Sequence, residues 1–526
     1  MIKNITKTAA VVTLVTLSFT SCYKDLDLTP KYGLNAESVY SVDSNYKHVL
    51  AKIYGGLILT GNRGPSGAAD FGSGDEGFSS FIRALWNLQE LPTDEAVCGW
   101  TDPGIPELNQ MTWSSDNSFV TSMYQRIYYE IALCNEFLRQ ASDEKLAGYG
   151  FNDSQITTIK QYRNEVRFLR ALSYYYQIDL YGTGPFVTED DGVGSYLPEQ
   201  KSRADLFNYV ESELLAIEGL ITPARQNEYG RADRAAVDAL LAKLYLNAEV
   251  YVGQNRYNDC ITYCDKVINS GYQLDVNYGW LFLADNQKST EVIFPILSDG
   301  LFTQTYGGTT FIVHAAIGGT MAAADFGVNG GWSGLRVTKG LINCFGGDSV
   351  ADGRFMFYTP GQNLDIAELK TFTDGYGATK WKNIKRDGTK GSDNAGNFVD
   401  TDFPLIRLAD VYLMYAEATV RGGNGNPGQA VSYVNALRER AYGNTSGNVT
   451  AIDLPFLLNE RGRELHWECS RRTDLIRNGL FTGGGYLWPF KGGAVNGVAV
   501  GGYLNLYPLP AADLAVNTNL VQNPGY

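Results

Sequence analysis

The chain has 526 residues, with 57 Asp and Glu against 43 Lys and Arg, for a formal net charge of −14. Phosphate binding needs a lysine and arginine patch, so an acidic balance of this size excludes nucleic acid as a partner and electrostatic docking on anionic lipid as a mode of attachment. Seven cysteines are too dilute for a disulfide scaffold, whereas 34 Tyr, 24 Phe and 8 Trp leave aromatics to spare for a binding surface.

Taken in chain order, the first element is a secretory signal. Lys3 and Lys7 precede an apolar run over residues 9–19, the small pair Thr20 and Ser21 comes next, and Cys22 ends it. The run is shorter than the roughly 20 apolar residues of a membrane-spanning helix. A cysteine directly after small residues points to a lipoprotein signal over residues 1–21, cleaved before Cys22, whose thiol is then acylated. An ordinary signal peptide with an incidental cysteine is the alternative. Cleavage there removes two lysines and no acids, which moves the formal charge from −14 to −16. Residues 22–526 then read as a single domain.

Helical periodicity dominates the mature chain. Phe119, Met123, Ile127, Ile131 and Cys134 form one stripe. A second helix is expected over 155–181, with Val166, Leu169, Leu172 and Tyr176 on its face, Asp153 and Ser154 as N-caps, and Gly182 and Pro185 as the stop. A third, over 203–220, carries Leu206, Val210, Leu214 and Ile217. Residues 232–270 read as a helical hairpin with a turn at 253–255. Residues 404–442 repeat the design, with Leu405, Leu408, Tyr412, Tyr415 and Ala418 before a glycine-rich turn and Ala430, Val434 and Leu437 after it. Two helices in under about forty residues is the size of a tetratricopeptide-type unit. The fold class is therefore mainly α: tetratricopeptide-like hairpins forming a scaffold. Segments 56–115, 272–400 and 480–526 lack helical period and read as insertions of loops and short strands, where binding residues concentrate.

Several patterns invite a chemical reading. Gly423-Asn424-Gly425-Asn426-Pro427-Gly428 matches a nucleotide-binding glycine pattern, yet it comes after a helix rather than a strand and reads as a hairpin turn. Glu460, Glu464 and Glu468 recur every four residues among Arg461, Arg463, Arg471 and Arg472. Paired carboxylates serve glycoside hydrolysis, but glutamates and arginines at these offsets are more simply an ion-pair network. Asp94 and Glu95 are acid and base candidates or supports of their loop. Cys260 and Cys264, one helical turn apart without a histidine partner, read as core residues rather than a zinc set. Trp100, Tyr306 and Trp332 each sit beside glycine, outside any helical stripe. Such rings offer flat apolar faces suited to the C–H faces of sugars, and Asp75 and Arg83 supply hydroxyl acceptors and donors. Packing is the plainer reading for each ring taken singly.

With those residues in view, the mature chain resembles the SusD/RagB family of Bacteroidetes starch-utilisation lipoproteins. The likeness rests on Asp75-Glu76-Gly77, Glu90-Leu91-Pro92-Thr93-Asp94-Glu95, Tyr229-Gly230-Arg231-Ala232-Asp233, Tyr306-Gly307-Gly308 and Asn329-Gly330-Gly331-Trp332. Glu460-Arg461-Gly462-Arg463-Glu464-Leu465, Asp474-Leu475-Ile476-Arg477 and Gln522-Asn523-Pro524-Gly525-Tyr526 complete it. The resemblance implies a surface glycan-binding lipoprotein without catalytic activity, anchored in the outer membrane through Cys22 and facing the cell exterior. It would capture starch or a malto-oligosaccharide and deliver it to a SusC-like TonB-dependent transporter. It places an α-glucan-binding arc at Trp100, Tyr306 and Trp332, with Asp75 and Arg83 as hydroxyl partners. One ring of that arc is replaced by Cys98, and Asp102 stands nearest to a polar partner that the loop at 101–105 lacks. No cofactor is required, but a structural calcium on Asp285, Asp400 and Asp402 is implied as an option, with helix capping by Asp402 as its rival. A relative for another glycan, a glycosidase and a peptide-binding helical scaffold are the competing functions.

Overall fold

The computed structural model describes residues 35–65, 67–72, 77–194, 196–346 and 351–526. Cys22, the signal and Asp75 lie outside the described residues.

The helices form where apolar stripes and caps coincide. Helix α1 spans Asp43–Ile58. Helix α2, Phe81–Glu90, is capped by Ser80, whose side chain accepts from Arg83 N. Every residue of α2 is buried. The segment carries a helical stripe, Phe81, Leu85 and Leu88 flanked by Ile82 and Trp86 and opposed by Arg83, Asn87 and Glu90, so a periodic helix replaces the loop expected over this part of 56–115. Helix α3, Ser118–Gln140, starts at Asn117, which accepts from Phe119 N and Val120 N, and it buries Phe119, Met123, Ile127, Ile131 and Cys134 as the stripe predicts. Helix α4 spans Asp153–Leu180, and its cap is Asn152 in a reciprocal box with Gln155, one residue before the expected Asp153. Helix α5, Arg203–Glu218, opens on a Ser202–Asp205 box. Helices α6, Arg234–Leu246, and α7, Tyr257–Ile268, make the first hairpin, and Gly253 takes the left-handed backbone at its turn, with φ 67°. Cys260 and Cys264 are buried in this hairpin, and neither is in a disulfide.

A short helix α8, Gly308–Ala315, lies inside the segment expected to be loops and strands. Helices α9, Leu408–Val420, and α10, Pro427–Tyr442, make the second hairpin, and α7 packs against α9. Asn426 accepts from Gly428 N and Gln429 N to cap α10, with Pro427 opening it, so the glycine-rich run is a turn and cap. Helices α11, Leu454–Leu465, and α12, Arg471–Arg477, come next.

Strands are few and short. Strand β1, Ala96–Cys98, pairs antiparallel with β3, Leu335–Val337; β2, Val292–Ile296, pairs antiparallel with β4, Phe403–Arg407. Leu405 thus belongs to a strand and not to the helical stripe assigned to it. All five residues of β4 are buried, and a short apolar run buried on both faces has the same appearance in a sequence whether it is strand or helix. The tail over 480–526 holds no strand longer than an isolated bridge; it is made of turns, the short 3-10 helices Lys491–Gly493 and Gly502–Asn505, and the short helix Ala511–Val516. One cluster of buried apolar side chains runs from Tyr40 to Leu520 and ties helices, strands and tail together. No helix among the described residues is long and apolar enough to cross a membrane.

Candidate functional site: an aromatic row built on helix α8

The carboxylates that invite a catalytic reading are all withdrawn from solvent. Arg354 stands between Glu460, at 2.6 Å, and Glu464, at 3.0 Å. Arg407 binds Glu291 at 2.8 Å, Glu464 at 2.7 Å and Glu468 at 2.6 Å, and Arg440 bridges Glu291 and Glu464. Burial opposes charge on Glu460, yet Arg354, Arg463 and Arg438 outweigh it and hold the carboxyl down at about 2. The ion-pair reading therefore stands, with different partners from those the local spacing suggests. Of the four neighbouring arginines, only Arg463 meets these glutamates, at Glu460; Arg461 pairs with Asp410 and Asp474, and Arg471 with Asp94. Glu468 also lies beyond the end of α11. Asp94 is buried, and despite that burial Arg471 holds it below its usual range, with Tyr486 donating to it at 2.6 Å. Burial pushes Glu95 up to about 7, while its carboxylate accepts from Trp467 N at 3.1 Å. Both support the α12 corner and face no solvent.

The three calcium candidates do not come together. Asp285 accepts from Arg386 N and pairs with Lys288 at 2.9 Å. Asp400 accepts from Gly300 N, Ser392 N and Ser392 Oγ, and Asp402 from Ser298 N and Tyr229 Oη. Burial raises Asp402 to about 7 in spite of those bonds. Among the described residues no group of three His, Cys, Asp or Glu is placed to hold a metal ion. Asp402 binds Ser298 and Tyr229 rather than the start of α9, whose N-cap is Arg407, so Asp402 does not cap that helix.

The three loop aromatics do come together. Trp332 lies between the other two, with ring centroids 6.4 Å from Trp100 and 6.4 Å from Tyr306, and successive planes turned by 41° and 57°. All three are half-buried, each keeping part of its ring at the surface. Helix α8 is the spine of the row. Tyr306 stands just before it, where Gly307 and Gly308 meet the start of α2: Gly308 N donates to Ser80 Oγ at 3.1 Å, and a methyl on Gly307 would stand 2.0 Å from that oxygen. Phe311, on α8, lies under Trp100 at 6.0 Å, with the Arg83 guanidinium 4.9 Å from its ring and 5.7 Å from Trp100. The carbonyls at the far end of α8 hold the next loop. Trp332 N donates to His314 O at 2.8 Å, Gly334 N to Ala315 O at 2.9 Å, and Ser333 N to Ile317 O at 2.9 Å. Trp100 Nε1 then donates to Trp332 O at 3.1 Å, which locks the two tryptophans to each other. Asp102 is exposed in the turn just after Trp100.

Sequence reasoning passes over two residues of this assembly. His314 stacks on Trp332, centroid to centroid 4.7 Å and only 17° from parallel, and its Nδ1 lies 2.7 Å from Gly330 O. Burial lowers its pKa, partly offset by the Gly330 carbonyl, so the ring that supports Trp332 is the neutral imidazole. Phe398 supports Tyr306 in the same way at 5.1 Å. The only signal for His314 is its rarity, as one of three histidines in the chain. Conversely, Cys98 is buried in β1 and its backbone pairs with Asn109, so it lies below the surface on which a stacking ring would have to stand.

A helical scaffold carrying a loop-built row of supported rings, with the candidate catalytic carboxylates consumed in buried pairs, has the build of a binding protein. The profile of the SusD family matches residues 353–526. The starch-binding protein SusD of Bacteroides thetaiotaomicron is 36% identical over an alignment of 569 positions, which covers 98% of each chain. Among solved structures, a SusD homologue from Bacteroides thetaiotaomicron superposes with a TM-score of 0.74 at 19% identity, covering 93% of this chain and 98% of that one. A laminarin-binding SusD-like protein superposes with a TM-score of 0.67 at 22% identity, covering 92% and 99%. The chain belongs to the SusD family, a family of binding proteins rather than enzymes.

Proposed function

We propose that this protein is a cell-surface lipoprotein that captures starch or malto-oligosaccharides on the Trp100–Trp332–Tyr306 row and passes them to a SusC-like TonB-dependent transporter. The observation that carries the reading is the row itself. Three half-exposed rings at equal spacing, each turned relative to the last, suit a ligand whose flat units turn progressively along its length, as the glucose units of an α-glucan do. Arg83, at the Trp100 end and 7% exposed, donates to sugar hydroxyls along that narrow edge, Asp102 is the acceptor in the turn after Trp100, and Asp75 is a second acceptor by the family resemblance. Cys22 is the lipid anchor in the outer membrane, with the body facing the cell exterior. The starch-binding name of the relative at 36% identity supports the glucan class, and the buried state of Asp94, Glu95, Glu460 and Glu464 argues against a glycosidase.

The test is isothermal titration against maltoheptaose, with a laminarin oligosaccharide as the unrelated glucan. Micromolar to millimolar affinity for the first alone is expected. Trp332→Ala should abolish retention in an amylose affinity gel, because it deletes the central ring of three. A sugar face on one ring is worth roughly 1–2 kcal/mol, at about 25 cal/mol per Å² of apolar area covered. Retention unchanged by that substitution would remove the row from the site, and binding of laminarin alone would replace the substrate class.

A further inference from the structure

The aromatic surface does not end with the three rings. Ser333 comes directly after Trp332 in the chain and is exposed. A methyl placed on Gly318 would stand 2.5 Å from Ser333 Oγ and 2.9 Å from two ring carbons of Phe372. Hydroxyl and ring therefore lie side by side across a position that only glycine fills, and the Phe372 ring rests on Gly318 and Gly319 with part of it open to solvent. The segment that carries it belongs to the Trp100 side of the row: a methyl on Gly99 would stand 2.7 Å from Leu369 O.

This irregular segment is held in place at some cost. Arg336, wholly buried in β3, donates to Leu369 O at 2.5 Å and Thr371 O at 3.0 Å, and its guanidinium lies 5.8 Å from the Phe372 ring. No carboxylate pairs with it among the described ion pairs. A buried cation held chiefly by backbone carbonyls is an expensive clamp. Asp374 tightens the same loop, its Oδ2 accepting from Ala367 N at 2.9 Å and Glu368 N at 3.0 Å. The result is a fixed ring with its Cδ1–Cε1 edge against Gly318 and Gly319, beside the exposed hydroxyl of the residue that follows Trp332.

We propose that Phe372 with Ser333 forms an additional glucose subsite beyond the Trp100 and Trp332 rings. The ring stacks on the apolar face of one more sugar unit, and Ser333 Oγ bonds a hydroxyl at that unit's edge. The inference rests on the glucan reading above and extends it to chain length: ligands long enough to cross the row gain this contact and short ones do not.

Maltotriose and maltoheptaose titrated against wild type, Phe372→Ala and Phe372→Leu test it. Leucine keeps an apolar side chain against Gly318 and Gly319 but removes the flat face. Both variants should lose about tenfold in affinity for maltoheptaose, the loss of one stacked face, and keep wild-type affinity for maltotriose. Wild-type affinity of Phe372→Leu for both ligands overturns the subsite, because the ring then only packs. Equal losses with both ligands overturn it too, because the ring then supports the whole row. The wild-type titrations speak to the parent reading separately: absence of binding to either malto-oligosaccharide sinks the α-glucan assignment and the subsite with it.

Discussion

Two regions of this molecule use side chains in opposite ways. Around α11, arginines and glutamates that would ordinarily face water are buried and consumed by one another: Glu464 alone meets Arg354, Arg407 and Arg440. Around α8, aromatic rings that would ordinarily be buried are kept partly open, each supported from below by another ring, His314 under Trp332 and Phe398 beside Tyr306. The charges build the scaffold and the rings make the surface. A reading that looks for reactive groups stops at the glutamates, whereas the groups that remain accessible are the rings.

The largest expected effect comes from breaking the scaffold side. Glu464→Ala leaves three buried guanidinium groups short of a partner, and loss of one member of a buried ion pair costs about 3–5 kcal/mol. Urea unfolding should show that loss, while the fraction still folded keeps its affinity for maltoheptaose. A folded Glu464→Ala protein that had lost the sugar would erase the division between the two regions.

Acid should attack the same side. Glu460 and Glu417 are both held at about 2, against burial, by Arg354 and Arg477 respectively and by further arginines. A carboxyl whose folded pKa lies below its unfolded value near 4.5 contributes stability above that value and loses it as pH falls towards 2. The thermal midpoint should therefore drop steeply below about pH 4.5. Added salt should change it little, because the pairs are buried and poorly screened. A midpoint flat to pH 3 would mean that these pairs hold nothing together.

The sequence makes the scaffold legible where a stripe and a cap coincide, as in α3 and α4, because half-buried helices carry their orientation in the period of their apolar residues. It hides β4, whose apolar run is too short to choose between strand and helix, whereas α2, only ten residues long and set among glycine-rich loops, does carry a stripe of Phe81, Leu85 and Leu88 opposite Arg83, Asn87 and Glu90. The three site rings are legible because each stands beside glycine outside a stripe. Their supports are not. His314 falls inside an apolar helix as any core residue would, and Phe372 lies between two threonines with nothing to mark it. Both owe their place to contacts across the fold, with Trp332 and with Gly318, that local pattern does not encode. The glutamates of α11 are legible as ion-pair members, but apart from Arg463 on the same helix their arginine partners come from β4, α10 and the segment before residue 357.

The smallest effect concerns how the surface is supported, and it tests whether the open rings depend on the hidden ones. His314→Ala removes a parallel ring contact with Trp332, worth about 0.5–1.5 kcal/mol, and the bond from Nδ1 to Gly330 O. Trp332 remains in the chain, tied by its backbone to His314 O and Trp100 Nε1, so the ring loosens without leaving. Maltoheptaose affinity should fall about threefold, less than in Trp332→Ala, with tryptophan emission shifted to the red. His314→Phe restores the stacked ring without the polar bond and should recover most of the affinity. In the Trp332→Ala background His314→Ala should cost nothing more, because its contribution to binding runs through that ring. An additive loss in the double variant would mean that His314 contacts the sugar itself.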